Sequence, residues 1–218
     1  MSSIRHLVTF PLVAALALIP AATWSRPAGI REQPEATVRS LYELVVVRRP
    51  LGISTYPQYP HVLKLYTPYI SERLLHTIKM DRRCEKDWFQ RTHGRDRDGS
   101  VVKPPFAWLE LGLFSGAVEQ SWPSQFKIER SEPREDGSTY VYVNLAEWGL
   151  DARGAAAPPN KGPPEESWDV AVRVVREGGH LAVDDVVYLK GKYVDAESSL
   201  SGYLAMGCRG PHWVGRSS

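Results

Sequence analysis

The hydrophobic period of the chain changes from helical to alternating, and that switch restricts its fold more than any other feature. Gln125 to Arg130 alternates through Phe126 and Ile128. Thr139 to Trp148 places Val141, Val143 and Leu145 on one face and Tyr140, Tyr142 and Trp148 on the other. Trp168 to Val174 alternates through Val170 and Val172, and a last strand is predicted over His180 to Lys190. A period of two is that of strands with one buried face. The turn signals Glu135-Asp136-Gly137 and Glu177-Gly178-Gly179 make hairpins of them, so the pairing is antiparallel.

Upstream the spacing is helical. Pro34 to Val47 sets Val38, Leu41, Tyr42 and Val45 on one face, with Pro34 suited to the first helical position. Leu51 to Pro60 reads as a loop, and His61 to Tyr66 as a short helical turn. Ser71 is a predicted N-cap, with Ile70 and Leu75 placed to close a hydrophobic staple, for a helix that runs through Leu74, Ile78, Cys84 and Trp88 and ends at Gly94. Phe106 to Phe114 is an apolar, aromatic run expected among the β-rich segments, and Asp195 to Met206 is expected to form a terminal helix. Helices first and strands afterwards is the α+β pattern, with N-terminal helices packed on one face of a curved antiparallel sheet. The domain is expected over residues 34–206, with a linker over 26–33, a flexible Ala-, Pro- and Gly-rich insertion over 149–166 and a tail over 207–218.

Residues 1–25 read as an export signal: Arg5 precedes a mostly apolar run from Leu7 to Ile19, and small residues follow before Arg26. The run is about 13 residues long, against the roughly 20 that span a bilayer. Export would place the protein in the periplasm or outside the cell, with no membrane span left after cleavage. Removing Arg5 takes the balance from 27 basic and 25 acidic residues to 26 against 25. That lacks the basic excess on which non-specific nucleic-acid binding depends. In an oxidising compartment the two cysteines, Cys84 and Cys208, are expected to pair. Closing a loop of that length stabilises a fold by about 2–4 kcal/mol.

Chemistry is sparsely written. His61, His76, His93, His180 and His212 stand singly, without metal-ligand spacing, and no metal or cofactor is expected. Asp96-Arg97-Asp98-Gly99-Ser100 approaches a calcium loop, but Gly94 and Pro105 fall where that loop requires Asp and Glu. No phosphate loop, dinucleotide fingerprint or nucleophile elbow is present. Asp184 and Asp185 are candidates for a single acid or base, because a carboxylate in an apolar cavity has its pKa raised, but at most one can enter a pocket and the favoured reading is a carboxylate paired with a nearby Arg or capping a bulge in the sheet. If Val183 and Val187 face inward, alternation carries Asp185 with them and Asp184 with Tyr188. Tyr42, Trp108, Tyr140, Tyr142 and Trp148 are the aromatic candidates for a ligand or partner surface, although the same residue types also build cores.

Three stretches resemble one known group of proteins. Tyr69-Ile70-Ser71-Glu72-Arg73-Leu74, the run from Pro104 to Gly116, and Gly179-His180-Leu181-Ala182-Val183-Asp184-Asp185-Val186-Val187-Tyr188-Leu189 together resemble uncharacterised exported bacterial proteins of the nuclear-transport-factor-2-like superfamily. Where such relatives commonly carry Trp after the last turn, this chain has His180. The resemblance, over residues 34–206, implies a cone in which a strongly bent, cystatin-like sheet wraps over the helices. Cones of this kind host enzymes, ligand carriers, toxin-neutralising proteins and interaction domains, so fold alone does not name a function. The expectation is a non-catalytic binding domain with a protein or envelope partner, one specific form being an immunity protein that blocks a toxin. The rival is a small-molecule carrier or enzyme using the cone interior, with Asp185 as acid or base.

Overall fold

The structure, a computed structural model, describes residues 33–47, 60–95, 98–101, 112–117, 122–147, 164, 166–191 and 193–206. The expected signal, the loop 51–59, most of the insertion, the C-terminal tail, Trp108, Trp148 and Cys208 lie outside them. The described residues form one α+β domain with four α-helices and a five-stranded antiparallel sheet. The helices are α1 (Pro34–Val47), α2 (Pro60–Tyr66), α3 (Glu72–Thr92) and α4 (Leu200–Met206). The strands are β1 (Gln125–Pro133), β2 (Thr139–Glu147), β3 (Glu166–Glu177), β4 (His180–Tyr188) and β5 (Ser198–Ser199), and they lie in the sheet in chain order.

Local chemistry sets the helix bounds. The Ser71 hydroxyl oxygen accepts from the Leu74 N–H at 3.0 Å, which caps α3. The side chain of Glu177 accepts from the Glu72 N–H at 2.8 Å, placing a carboxylate at the positive end of the helix dipole. At the other end the cap is His93, in the left-handed region at φ 50°, one residue before the expected Gly94. Its N–H donates to the Phe89 carbonyl at 2.9 Å. The four apolar residues predicted for one face of α1, Val38, Leu41, Tyr42 and Val45, are all buried.

The sheet is a meander. Gly178 and Gly179 both have positive φ, the conformation demanded by a two-residue hairpin between β3 and β4. Val141, Val143 and Leu145 of β2 share the core with Val170, Val172 and Val174 of β3. On β4 the core residues are Val183, Val186 and Tyr188, so the spacing jumps from three to two. A bulge causes the jump: Val174 pairs with Val183 and Arg173 with Asp185, leaving Asp184 as an extra residue in the ladder. Simple alternation through Val183 and Val187 therefore fails here. Val187 lies on the opposite face, and Val186 takes the core position.

Two other expectations change. The end of the 106–114 run is not extended: Leu113, Phe114 and Ser115 make a turn closed by Gly116 N–H to Gly112 O at 2.7 Å. Gly116 has φ 65°, and a Cβ there would stand 2.6 Å from the Tyr188 ring, so both conformation and space require glycine. The terminal helix is also shorter than Asp195 to Met206, because Ser198 and Ser199 pair with Tyr188 and Val187 before α4 begins.

The 113–115 turn meets the polar ends of the core aromatics. Tyr188 donates to the Leu113 carbonyl at 2.6 Å, Tyr42 to that of Phe114 at 2.7 Å, and the Trp168 indole to that of Ser115 at 2.7 Å. Three successive buried carbonyls are thereby satisfied from β4, α1 and β3, as burial requires. Burial pushes the Tyr42 and Tyr188 hydroxyls well above the ordinary phenol range, so both stay donors. Tyr42→Phe removes one donor and orphans the Phe114 carbonyl. Urea denaturation should show a loss of about 1–3 kcal/mol.

Candidate functional site

Turning one strand face to the core leaves the other face of the sheet pointing away from it. Two neighbouring rows cross the outer face: Arg130, Tyr142, Ala171 and Val187 in one, Glu132, Tyr140, Arg173 and Asp185 in the next. A bulge between Ile128 and Arg130 sets this order on β1, since Ile128 pairs with Val143 and Arg130 with Tyr142. The Arg130 guanidinium stacks 3.6 Å from the Tyr142 ring centroid, and that of Arg134 lies 5.0 Å from the Tyr140 centroid. Such cation–π contacts contribute about 0.5–1 kcal/mol at exposed sites. Glu132 ties the group together, accepting from Arg130 at 2.9 Å and from Tyr142 at 3.2 Å and pairing with Arg134 at 3.1 Å.

These residues form one wall of an open groove of about 760 Å³. Ala171, Val187 and Leu189 give it an apolar floor; Asp136, Lys190 and Glu197 complete the rim. Both arginines remain open to solvent, with side-chain exposures of 57% and 46%. On the core side, a second, water-sized space of about 10 Å³ lies between Ser115, Gly116, Trp168 and Tyr188.

The two aspartates do not line the groove, and they share Arg73, which lies 2.8 Å from Asp184 and 3.9 Å from Asp185. Asp184, at the β4 bulge, accepts from the Ser71 hydroxyl at 2.7 Å and from Arg73 Nε and a terminal nitrogen, each at 2.8 Å. Arg173 also bonds its carboxylate, and the Arg73 guanidinium reaches its backbone oxygen at 2.6 Å. Arg173 extends the network to Asp136 at 2.9 Å. Burial by itself raises the Asp184 pKa, but the bonds from Arg73 and Ser71 and the charges of Arg73 and Arg173 outweigh it and hold the group below the usual carboxylate range. Asp185 accepts from the Ser201 N–H at 3.0 Å and from its hydroxyl, which fixes the start of α4, and from its neighbour Val186 N–H at 2.9 Å. This geometry suits anchoring. A general base needs a lone pair aimed at substrate.

Of the aromatic candidates among the described residues, Tyr140 and Tyr142 come together on the groove. Tyr42 is fully buried and its hydroxyl is committed to Phe114, so it faces the core and not a surface. Cys84 is buried on α3. No group of three or more His, Cys, Asp and Glu suited to a metal is found among the described residues, and none of their helices is long and apolar enough to cross a membrane. Arg73, Arg130, Arg134 and Arg173 were not foreseen. For Arg173 a signal existed, because it falls on the polar phase of an alternating strand.

Comparisons with protein-family models, curated proteins and solved structures find no match.

The depressed Asp184 pKa has a definite sign in stability. Its contribution is fully present above the unfolded carboxylate value of about 3.9 and is lost as pH falls through the lower folded value. Asp184→Asn should lower stability at neutral pH by about 2 kcal/mol, discounted from the fully buried case because Arg73 is half exposed. Denaturation curves recorded below pH 4 should show the variant losing less stability with further acidification than the wild type; parallel losses would assign the effect to other groups.

Proposed function

We propose that this chain is an exported, non-catalytic binding domain that acts outside the cytoplasm through a protein or envelope partner docked on the outer sheet face. One observation carries the reading. The core aromatics spend their polar ends on the chain's own 113–115 turn, whereas half-buried Tyr140 and Tyr142 and exposed Arg130 and Arg134 form a mutually braced cluster on the outer face. Tyr and Arg are the residue types that concentrate binding energy at protein interfaces. The engaged carboxylate of Asp185 favours this reading over an acid–base enzyme.

Two further elements belong to the proposal. The order of helices and antiparallel strands suits a cone of the nuclear-transport-factor-2-like kind, in which toxin neutralisation by an immunity protein is one form of partner binding. Packing of α4 against α3 brings the chain, two residues before Cys208, to the helix that carries Cys84, which supports a disulfide between them. Mass spectrometry of the exported protein should find neither cysteine alkylated until reductant is added, and alkylation of both without it would reject the pair.

Affinity capture from periplasmic extract tests the function. The wild-type domain should retain a stoichiometric partner, and Tyr140→Ala with Tyr142→Ala should weaken its retention roughly tenfold or more, as expected for central aromatic anchors. Equal retention by the double variant, or no partner in repeated captures, counts against the reading.

A further inference from the structure

Resting on that docking face, we infer that the groove recognises a segment of a partner protein that presents an acidic side chain beside an aliphatic one. The acidic half follows from how the arginines are held. Arg130 and Arg134 share one carboxylate, Glu132, and Asp136 on the same rim is already paired with Arg173, so the two arginines keep a positive excess. Contacts with the Tyr142 and Tyr140 rings, 3.6 and 5.0 Å from their centroids, restrain both guanidiniums in advance. Arg130 gives its Nε–H to Glu132 at 2.9 Å and its side chain is 57% exposed, so its two terminal nitrogens are available to a ligand. A planar fork already in place matches a carboxylate bidentately and loses little freedom on binding it. Lys190 on the rim makes no ion pair among the described residues and adds a positive charge, opposed by Glu197 in the same lining.

The aliphatic half follows from the floor. Ala171, Val187 and Leu189 are small or branched and offer no hydrogen bond from their side chains, so they select an apolar group of modest size. Charge next to an apolar contact within a groove of this size fits two neighbouring side chains of a protein segment. A small polar acid such as succinate would leave the apolar floor unused.

An array of short peptides tests the inference, each with one Glu and one Leu or Val at varied separation in a Gly-Ser background, probed with the wild-type domain. A subset should bind. Replacing its Glu by Gln should weaken binding roughly tenfold, the scale of a charged hydrogen bond. R130Q with R134Q should weaken the Glu peptide by a similar factor but leave the Gln peptide unchanged, so the two changes are coupled in a double-mutant cycle. The thermal stability of the variant should fall by no more than the loss of two exposed ring contacts and their shared ion pair; if it falls further, R130K, which keeps the charge and loses the fork, takes its place in the cycle. Binding of no peptide, or equal binding of Glu and Gln forms, would overturn the inference. So would succinate, used as a free carboxylate probe, binding as tightly as the peptides. A captured partner that is lost with Tyr140→Ala and Tyr142→Ala but kept by R130Q with R134Q would leave the docking face standing and reject the acidic ligand alone.

Discussion

The bulge at Asp184 is the constraint on which the rest of the structure depends. One extra residue in β4 lets Val183, Val186 and Tyr188 all reach the core while a carboxylate enters a buried corner beside the start of α3. There it bonds Ser71, the residue that caps α3, and the arginines of α3 and β3. The edge of β4 that β5 leaves open at this point is taken by a parallel bridge between Ile70 and Val183, with Ser71 N–H bonded to the Val183 carbonyl at 2.8 Å. Helix start, sheet edge and ion network are thus one unit. A carboxylate buried among four donors is costly to strip of any of them, since the desolvation already suffered is then uncompensated. The hub fixes the register of β4 and, through it, which of its side chains reach the outer face.

The second organising element is the turn at 113–115. Aromatic residues with polar tips suit ligand pockets, and they suit cores only when the tips find acceptors inside. Three of them find acceptors in three consecutive carbonyls, and Trp122 finds a fourth in Val45 near the end of α1. A segment without regular structure can therefore be buried without orphaned groups. The same bonds turn an amphipathic lining into a structural one, which is why the groove lies on the opposite side of the sheet.

Much of this was legible in local pattern. The α1 face, the Ser71 cap, both hairpin turns and the core phase of β2 follow from propensity and period, and each appears in the structure where the residues put it. What failed did so at places where distant partners decide. An inserted ladder residue is invisible to a period of two, so the Val183–Val187 phase could not be read from β4 alone. Ser198 and Ser199 are strand residues only because β4 offers an edge to pair with. The site was half legible: Tyr140 and Tyr142 shared a predicted face, but stacking on Arg130 depends on the bulge in β1, and Arg134 lies beyond the strand end expected from alternation.

The outer rows from Arg130 to Val187 and from Glu132 to Asp185 have an unequal division of duty. The second ends in side chains that hold the Asp184 hub and α4, whereas the first touches neither. Arg130 and Val187 can therefore vary without disturbing the register that keeps the sheet folded. A fold arranged in this way can exchange one partner for another by altering a single strip of surface, and so serve as a durable frame for changing specificities.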